Sequence, residues 1–217
     1  MSPVRVRQHV NPLSQKYQRP VILPPWERIY AKPTQPLLLD IGCARGRFLY
    51  QLAPLQPDWN HLGLEIREPL VEEANRWRDE VGLTNLHYLF CNANRDLDAI
   101  LASLPSGVLR RVAIQFPDPW FKKRHQKRRV VQPELVDAIV AHLVPGGEVV
   151  LQSDVEDVAR QMCDRFGERP EFDRPHPHGL PENPFPIATE REIATFNKGK
   201  PVYRAAFVRR SPVDGGK

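Results

Sequence analysis

The chain has 217 residues, 41% hydrophobic and 26% charged, with a net charge of +5; this is ordinary for a globular domain with one core. No apolar run approaches the roughly 18 residues of a membrane span, and the opening MSPVRVRQHVNPLSQ lacks the apolar centre of a signal peptide, so no membrane association is expected. Cys43, Cys91 and Cys163 are odd in number and widely spaced with no CxxC pair, which argues against a disulfide framework or zinc knuckle and makes a reducing cytoplasm the simplest location.

Taken in chain order, residues 1–34 are basic and punctuated by proline. They read as an N-terminal arm ahead of a folded domain over 35–217. Strand-length apolar runs follow at 37–41, 61–65, 86–90, 112–116 and 148–152. Between them GRFLYQLAP, EPLVEEANRWRDEV and PELVDAIVAHL carry apolar residues at steps of three and four, the period of an amphipathic helix. The alternation predicts an α/β fold, a doubly wound and mostly parallel sheet with helices on both faces. Gly146-Gly147 after Val144-Pro145 stops a helix and turns the chain into the fifth strand. Ser153-x-x-Glu156 then has the form of a capping box. Residues 170–188, PEFDRPHPHGLPENPFPIA, hold too much proline for regular structure and read as a long ordered loop or flap. A short helical stretch and VYRAAFVRR, a candidate final strand, close the fold.

The chemistry collects at the carboxyl ends of the strands. The first strand ends in DIGCARG, where Gly42 and Gly46 remove side chains at a turn into a helix. Asp40 stands at that strand's end, Glu65 at the end of the second, and Asn92 and Ala93 follow the third. The spacing G-x-x-x-G is not the G-x-G-x-x-G of NAD binders. It resembles motif I of S-adenosylmethionine-dependent methyltransferases, with Ala44 at the middle glycine, where a Cβ removes the option of positive φ. The resemblance implies S-adenosylmethionine as cofactor and no metal. Asp40 would attract its ammonium, Glu65 would accept from the ribose diol, Asn92 would meet the adenine edge and Ala93 would donate a backbone N–H. A plainer reading stays open, in which the glycines shape a structural turn, Glu65 is a surface acid and Asn92 a turn former.

Residues 115–129, QFPDPWFKKRHQKRR, put one carboxylate, Asp118, between two prolines and follow it with six Lys/Arg and no acid over 122–129. Proline fixes φ and restricts its predecessor, so the acid is held, and the cations suit a phosphate backbone. This segment resembles the signature of tRNA (guanine-N(7)-)-methyltransferases, as do VVQPELVDAIVAHLVPGGEVVLQSD and the late TERE. The likeness covers most of the chain from about residue 37 to 209. It implies methyl transfer to N(7) of a guanosine in the tRNA variable loop, with Asp118 in catalysis and at the cofactor, and Lys122, Asp154, Thr189 and Glu192 at the acceptor. Arg124, His125, Gln126, Lys127, Arg128 and Arg129 would hold the RNA, and Trp120 or Phe121 would stack on a base. It implies tRNA as partner, no obligatory protein partner, and a monomer or homodimer. Each residue also has a structural alternative: a turn for Asp118, helix starts for Asp154, Thr189 and Glu192, a core anchor for Trp120. His176 and His178 suggest a metal only in isolation, with no third ligand cluster nearby in the sequence. The rivals are a methyltransferase for another RNA or a protein, and an RNA-binding protein with a vestigial crevice.

Overall fold

In the computed structural model, which describes residue 6 and residues 9–211, the segment LLLDI forms β1 (Leu37–Ile41), buried at every position. A strand covered on both faces reads as an unbroken apolar run, and β1 lies near the middle of a seven-stranded sheet. The other strands are β2 (Asn60–Glu65), β3 (Leu86–Phe90), β4 (Leu109–Gln115), β5 (Glu148–Ser153), β6 (Phe172–Asp173) and β7 (Tyr203–Arg209), in the order β3-β2-β1-β4-β5-β7-β6. Neighbours from β3 through β5 pair in parallel, and β7 runs antiparallel to both β5 and β6. The order reverses between β2-β1 and β4, so the crevice of a doubly wound sheet opens at the carboxyl ends of β1 and β4.

Side chains alternate across the sheet with period two. Leu37, Leu39, Leu62, Leu64, Val112, Ile114, Val149 and Leu151 face one core, roofed by α4 (Ala93–Ser103), α5 (Pro133–His142) and α6 (Glu156–Gly167). Leu38, Ala113 and Val150 face the other, covered by α2 (Arg47–Leu52) and α3 (Glu68–Glu80). The short helices α1 (Trp26–Ile29) and α7 (Glu190–Phe196) complete the set.

Differences from the sequence expectation have local causes. The fourth strand starts at Leu109, ahead of the expected 112, because a register shift against β1 lets Arg110 bulge out while Arg111 pairs with Glu148 at 2.6 Å. It stops before Phe116, whose φ of 51° is incompatible with a strand. Ser153-x-x-Glu156 does not form a capping box: α6 is preceded by Val155, and Ser153 Oγ instead accepts from the Val155 N–H at 3.1 Å. The proline-rich stretch 170–188 contributes the two-residue β6 and drives Phe185 into the second core against Phe48.

The basic stretch read as an arm carries aromatic anchors. Trp26 and Tyr30 are buried and stacked 6.0 Å apart, Trp26 Nε1 donating to Ser103 Oγ and the Tyr30 hydroxyl to the His61 carbonyl. Residues 1–5, 7 and 8 of that stretch lie outside the described residues, as do 212–217.

Candidate active site

A cavity of about 500 Å³ opens where the sheet order reverses, lined from the ends of β1, β2, β3 and β4 and from α7. That volume suits a cofactor-sized ligand. Its floor is the loop after β1. Gly42 and Gly46 both have positive φ, for different reasons. At Gly46 a Cβ would stand 2.3 Å from the Tyr88 ring, whose hydroxyl donates to the Gly46 carbonyl at 2.6 Å. Around Gly42 nothing lies within 4 Å of that point, so this glycine keeps space open for a ligand. Ala44 departs from expectation by adopting φ 53° despite its Cβ, at a cost of about 1–2 kcal/mol. Its N–H donates to Glu65 Oε2 at 3.0 Å, which ties the loop to the end of β2.

The two acids of the floor have unlike surroundings. Glu65 is gripped by Arg67, Nε to Oε1 at 2.8 Å and Nη2 to Oε2 at 2.9 Å, and also accepts from the Arg67 N–H. Asp40 has no ion-pair partner among the described residues and is 3% exposed. Burial pushes its carboxyl up to about 7, the Gln115 amide beside it partly offsets this, and the Glu65 charge adds to the rise. A buried acid of this kind suits a cationic ligand group.

After β3, Asn92 stands at the N-cap position of α4 with no side-chain capping bond, and Ala93 occupies the first turn, where helix N–H groups lack intrahelical acceptors. The Asn92 amide donates to the carbonyls of Pro12 (3.0 Å) and Tyr17 (3.3 Å), and its backbone N–H to Asp96 Oδ2. Its donor face thus holds the N-terminal segment, which crosses the cavity at Val10 and Pro12. That segment also brings His9 Nδ1 to 2.7 Å from Asp118 Oδ1.

Asp118 lines the cavity on a turn whose backbone bends to positive φ at Phe116 (51°) and Trp120 (42°), a conformation that bulky residues adopt only when the surroundings impose it. The cations that follow divide in two. Lys122, Lys123, Arg124 and Lys127 are exposed, and Gln126 and His125 half-buried, desolvation and then the neighbouring cations lowering the His125 pKa. Phe121 is 73% exposed. Arg128 and Arg129 turn inward instead. Arg128 stacks over Trp120 at 4.9 Å and lines the cavity. Arg129, expected among the RNA-facing residues, is buried, because its guanidinium is taken by the Pro119 carbonyl and Gln161.

On the opposite wall Thr189 lines the cavity and caps α7, its Oγ1 accepting the Glu192 N–H at 3.1 Å. Glu192 and Asp154, expected at the acceptor, are both turned elsewhere. Glu192 is 1% exposed and does not line the cavity: Oε1 accepts from Arg204 at 2.6 Å and Oε2 from Asn183 at 2.8 Å. Asp154 pairs with Arg191, which itself lines the cavity, at 2.6 Å. Arg204 also donates to Gln152, and Gln152 to Gln115, so a buried polar chain runs from β7 to the residue beside Asp40. Arg67, Gln115 and Arg204 were not singled out from the sequence; only the position of Arg67, two residues past a strand-end acid, gave a signal. Among the described residues no three His, Cys, Asp or Glu side chains gather as a metal site requires.

A protein family described as "Putative methyltransferase" matches residues 34–205. The "tRNA (guanine-N(7)-)-methyltransferase" of Trichormus variabilis is 63% identical over 209 residues, covering 96% of this chain and 97% of that protein. The protein of the same name from Synechococcus elongatus is 62% identical over 99% of this chain and all of its own length. Among solved structures, the 16S rRNA methyltransferase KamB aligns with a TM-score of 0.57 at 17% identity, covering 85% of this chain and 92% of its own. The aminoglycoside resistance methyltransferase NpmB1 aligns with a TM-score of 0.52 at 20% identity, over 84% and 90%. At such identities the two structures speak for the fold alone.

Proposed function

The chain belongs to the tRNA (guanine-N(7)-)-methyltransferase family, and on that premise we propose that it transfers the methyl of S-adenosylmethionine to N(7) of a guanosine in the tRNA variable loop, with Asp118 as the acid facing the base. The observation that carries the assignment of Asp118 is its place on the cavity rim, on a turn held between two positive-φ aromatic residues and in the same cavity as Asp40 and Glu65.

When bound, S-adenosylmethionine supplies an electrophilic methyl on a sulfonium sulfur. The residues of this chain fit such a ligand. Asp40, buried without a cation, suits its ammonium; Glu65, oriented by Arg67 and Ala44, suits the ribose diol; the opening turn of α4 at Ala93 offers N–H groups to the adenine. Gly42 leaves room for close approach to backbone.

Guanine N(7) carries a bare lone pair, so no group need remove a proton before attack. The work left to the protein is orientation and the stabilisation of positive charge arriving on the purine. Asp118 serves both: a carboxylate can accept from guanine's N1–H and amino group together, a pair of donors that adenine does not present, and its charge offsets the new cation. The exposed Lys122, Lys123, Arg124 and Lys127 would hold the RNA backbone, with Phe121 free to stack on an unstacked base. His9 meets Asp118 at 2.7 Å, so a base taking the Asp118 oxygens must displace it.

Asp118→Ala tests the assignment. Turnover on unmodified tRNA should fall on the order of a hundredfold or more, with cofactor affinity nearly kept. Aniline cleavage of the product maps the methylated base. Near-normal turnover in the variant would remove Asp118 from the mechanism, and cleavage outside the variable loop would reassign the target.

A further inference from the structure

Arg129 closes a run of cations but does not face solvent. It is 6% exposed, its Nε donates to the Pro119 carbonyl at 2.7 Å, and its Nη1 donates to Gln161 Oε1 on α6 at 2.6 Å. Its own carbonyl accepts from Gln132 Nε2 at 2.8 Å and from Asn94 Nδ2 of α4 at 3.4 Å. One residue thereby joins the turn after β4 to two helices of the sheet's roof.

The turn needs such an external partner. Pro117 and Pro119 have no N–H, and no backbone hydrogen bond joins residues 117–121 to one another. Phe116 and Trp120 hold positive φ on either side of Asp118, a conformation that relaxes unless something fixes it. The Pro119 carbonyl, one residue from Asp118, is where Arg129 takes hold. The two bonds diverge from one planar guanidinium, a geometry that the single ammonium of lysine does not reproduce.

We propose that Arg129 is a positioning residue for Asp118, acting on turnover and not on RNA affinity; this rests on the reading of Asp118 given above. A residue in phosphate contact and a residue that aims the acid give opposite signatures, so the two roles separate in one set of measurements. The variants are Arg129→Lys, Gln161→Ala as a milder loosening of the same anchor, Lys127→Ala as the reference for a lost phosphate contact, and Asp118→Asn. Each is assayed on unmodified tRNA for kcat and for tRNA affinity across salt concentrations, and by itself for cofactor affinity and melting temperature.

Arg129→Lys should lower kcat on the order of tenfold or more, with cofactor affinity and the slope of log K against log salt unchanged. Gln161→Ala should move kcat the same way by a smaller factor, which keeps the test available if Arg129→Lys folds poorly. Lys127→Ala should reduce the salt slope by about 0.7–0.9. A similar loss of slope in Arg129→Lys with kcat intact would make Arg129 a phosphate contact and overturn the proposal. Parallel losses of kcat, cofactor affinity and melting temperature in both anchor variants would overturn it in favour of a purely structural role. Normal turnover in Arg129→Lys while Asp118→Asn is inactive rejects the role of Arg129 alone. Full turnover in Asp118→Asn removes the reading of Asp118, and this proposal with it.

Discussion

Asp40 and Glu65 are both carboxylates at strand ends, yet among the described residues only Glu65 has a cation, Arg67, in its grip. Burial pushes Asp40 up to about 7. A carboxyl raised in the folded state keeps its proton there over a range in which the unfolded chain has lost it. Its contribution to stability is therefore full below the unfolded pKa and is lost as pH rises through 7. Relative to Asp40→Asn, the ligand-free protein should lose melting temperature between about pH 4 and pH 7. A cationic ligand reverses the preference by favouring the carboxylate. Binding of S-adenosylmethionine near pH 7 should then release a proton, with affinity rising by up to about tenfold per unit below 7 and levelling above it. Calorimetric titration in buffers of different ionisation heat measures that proton, and an equal release from Asp40→Asn would refute the assignment. The acids themselves were legible because strand-end placement follows from local pattern. The companions that make them unlike, Arg67 and Gln115, matter only through contact, and of the two only Arg67, two residues past Glu65, leaves a trace in the sequence.

The pair β7 and α7 shows what one long-range contact does to an element. Arg204 on β7 and Glu192 in the first turn of α7 form a buried ion pair, with Asn183 and Gln152 taking their remaining hydrogen bonds. Removing one partner leaves a buried charge uncompensated, so Arg204→Ala should cost about 3–5 kcal/mol in a urea unfolding experiment. Adding Glu192→Gln to Arg204→Ala should recover part of that loss; a further loss of the same size would show that the two residues are not coupled. The final strand was visible in VYRAAFVRR. Its antiparallel insertion between β5 and β6 was not, because strand order is set by what packs beside it. Thr189 does cap α7, whereas the equally well-spaced Ser153 does not cap α6. The motif is the same, and the backbone between Ser153 and Glu156 decides the outcome.

Over the whole molecule, charge is sorted by where each cation points. Of the six Lys/Arg in 122–129, Lys122, Lys123, Arg124 and Lys127 are exposed, while Arg128 and Arg129 serve the cavity and the turn. If those four meet phosphate, a fourfold rise in salt should weaken tRNA binding on the order of a hundredfold. Filter binding across a salt series measures this, and a flat response would refute the clamp. The N-terminal segment spans the same face, held by Asn92 over the cavity and meeting Asp118 through His9. Residues 1–34, basic and proline-rich, also hold the buried rings of Trp26 and Tyr30, which carry little weight in an average over such a stretch.

Sequence pattern alone specifies the alternation of strands and helices, the glycine loop with its flanking acids, and the proline-bound Asp118. Each of these follows from local rules: periodicity, the φ range of a residue type, the rigidity of proline. Which long side chains face solvent and which turn inside is set by long-range packing. Arg129 reaches Gln161 across 32 residues and Arg204 reaches Gln152 across 52. Arginine and glutamate look alike in a sequence wherever they stand; their partners, and so their roles, are fixed when burial makes an unpaired charge too costly to keep.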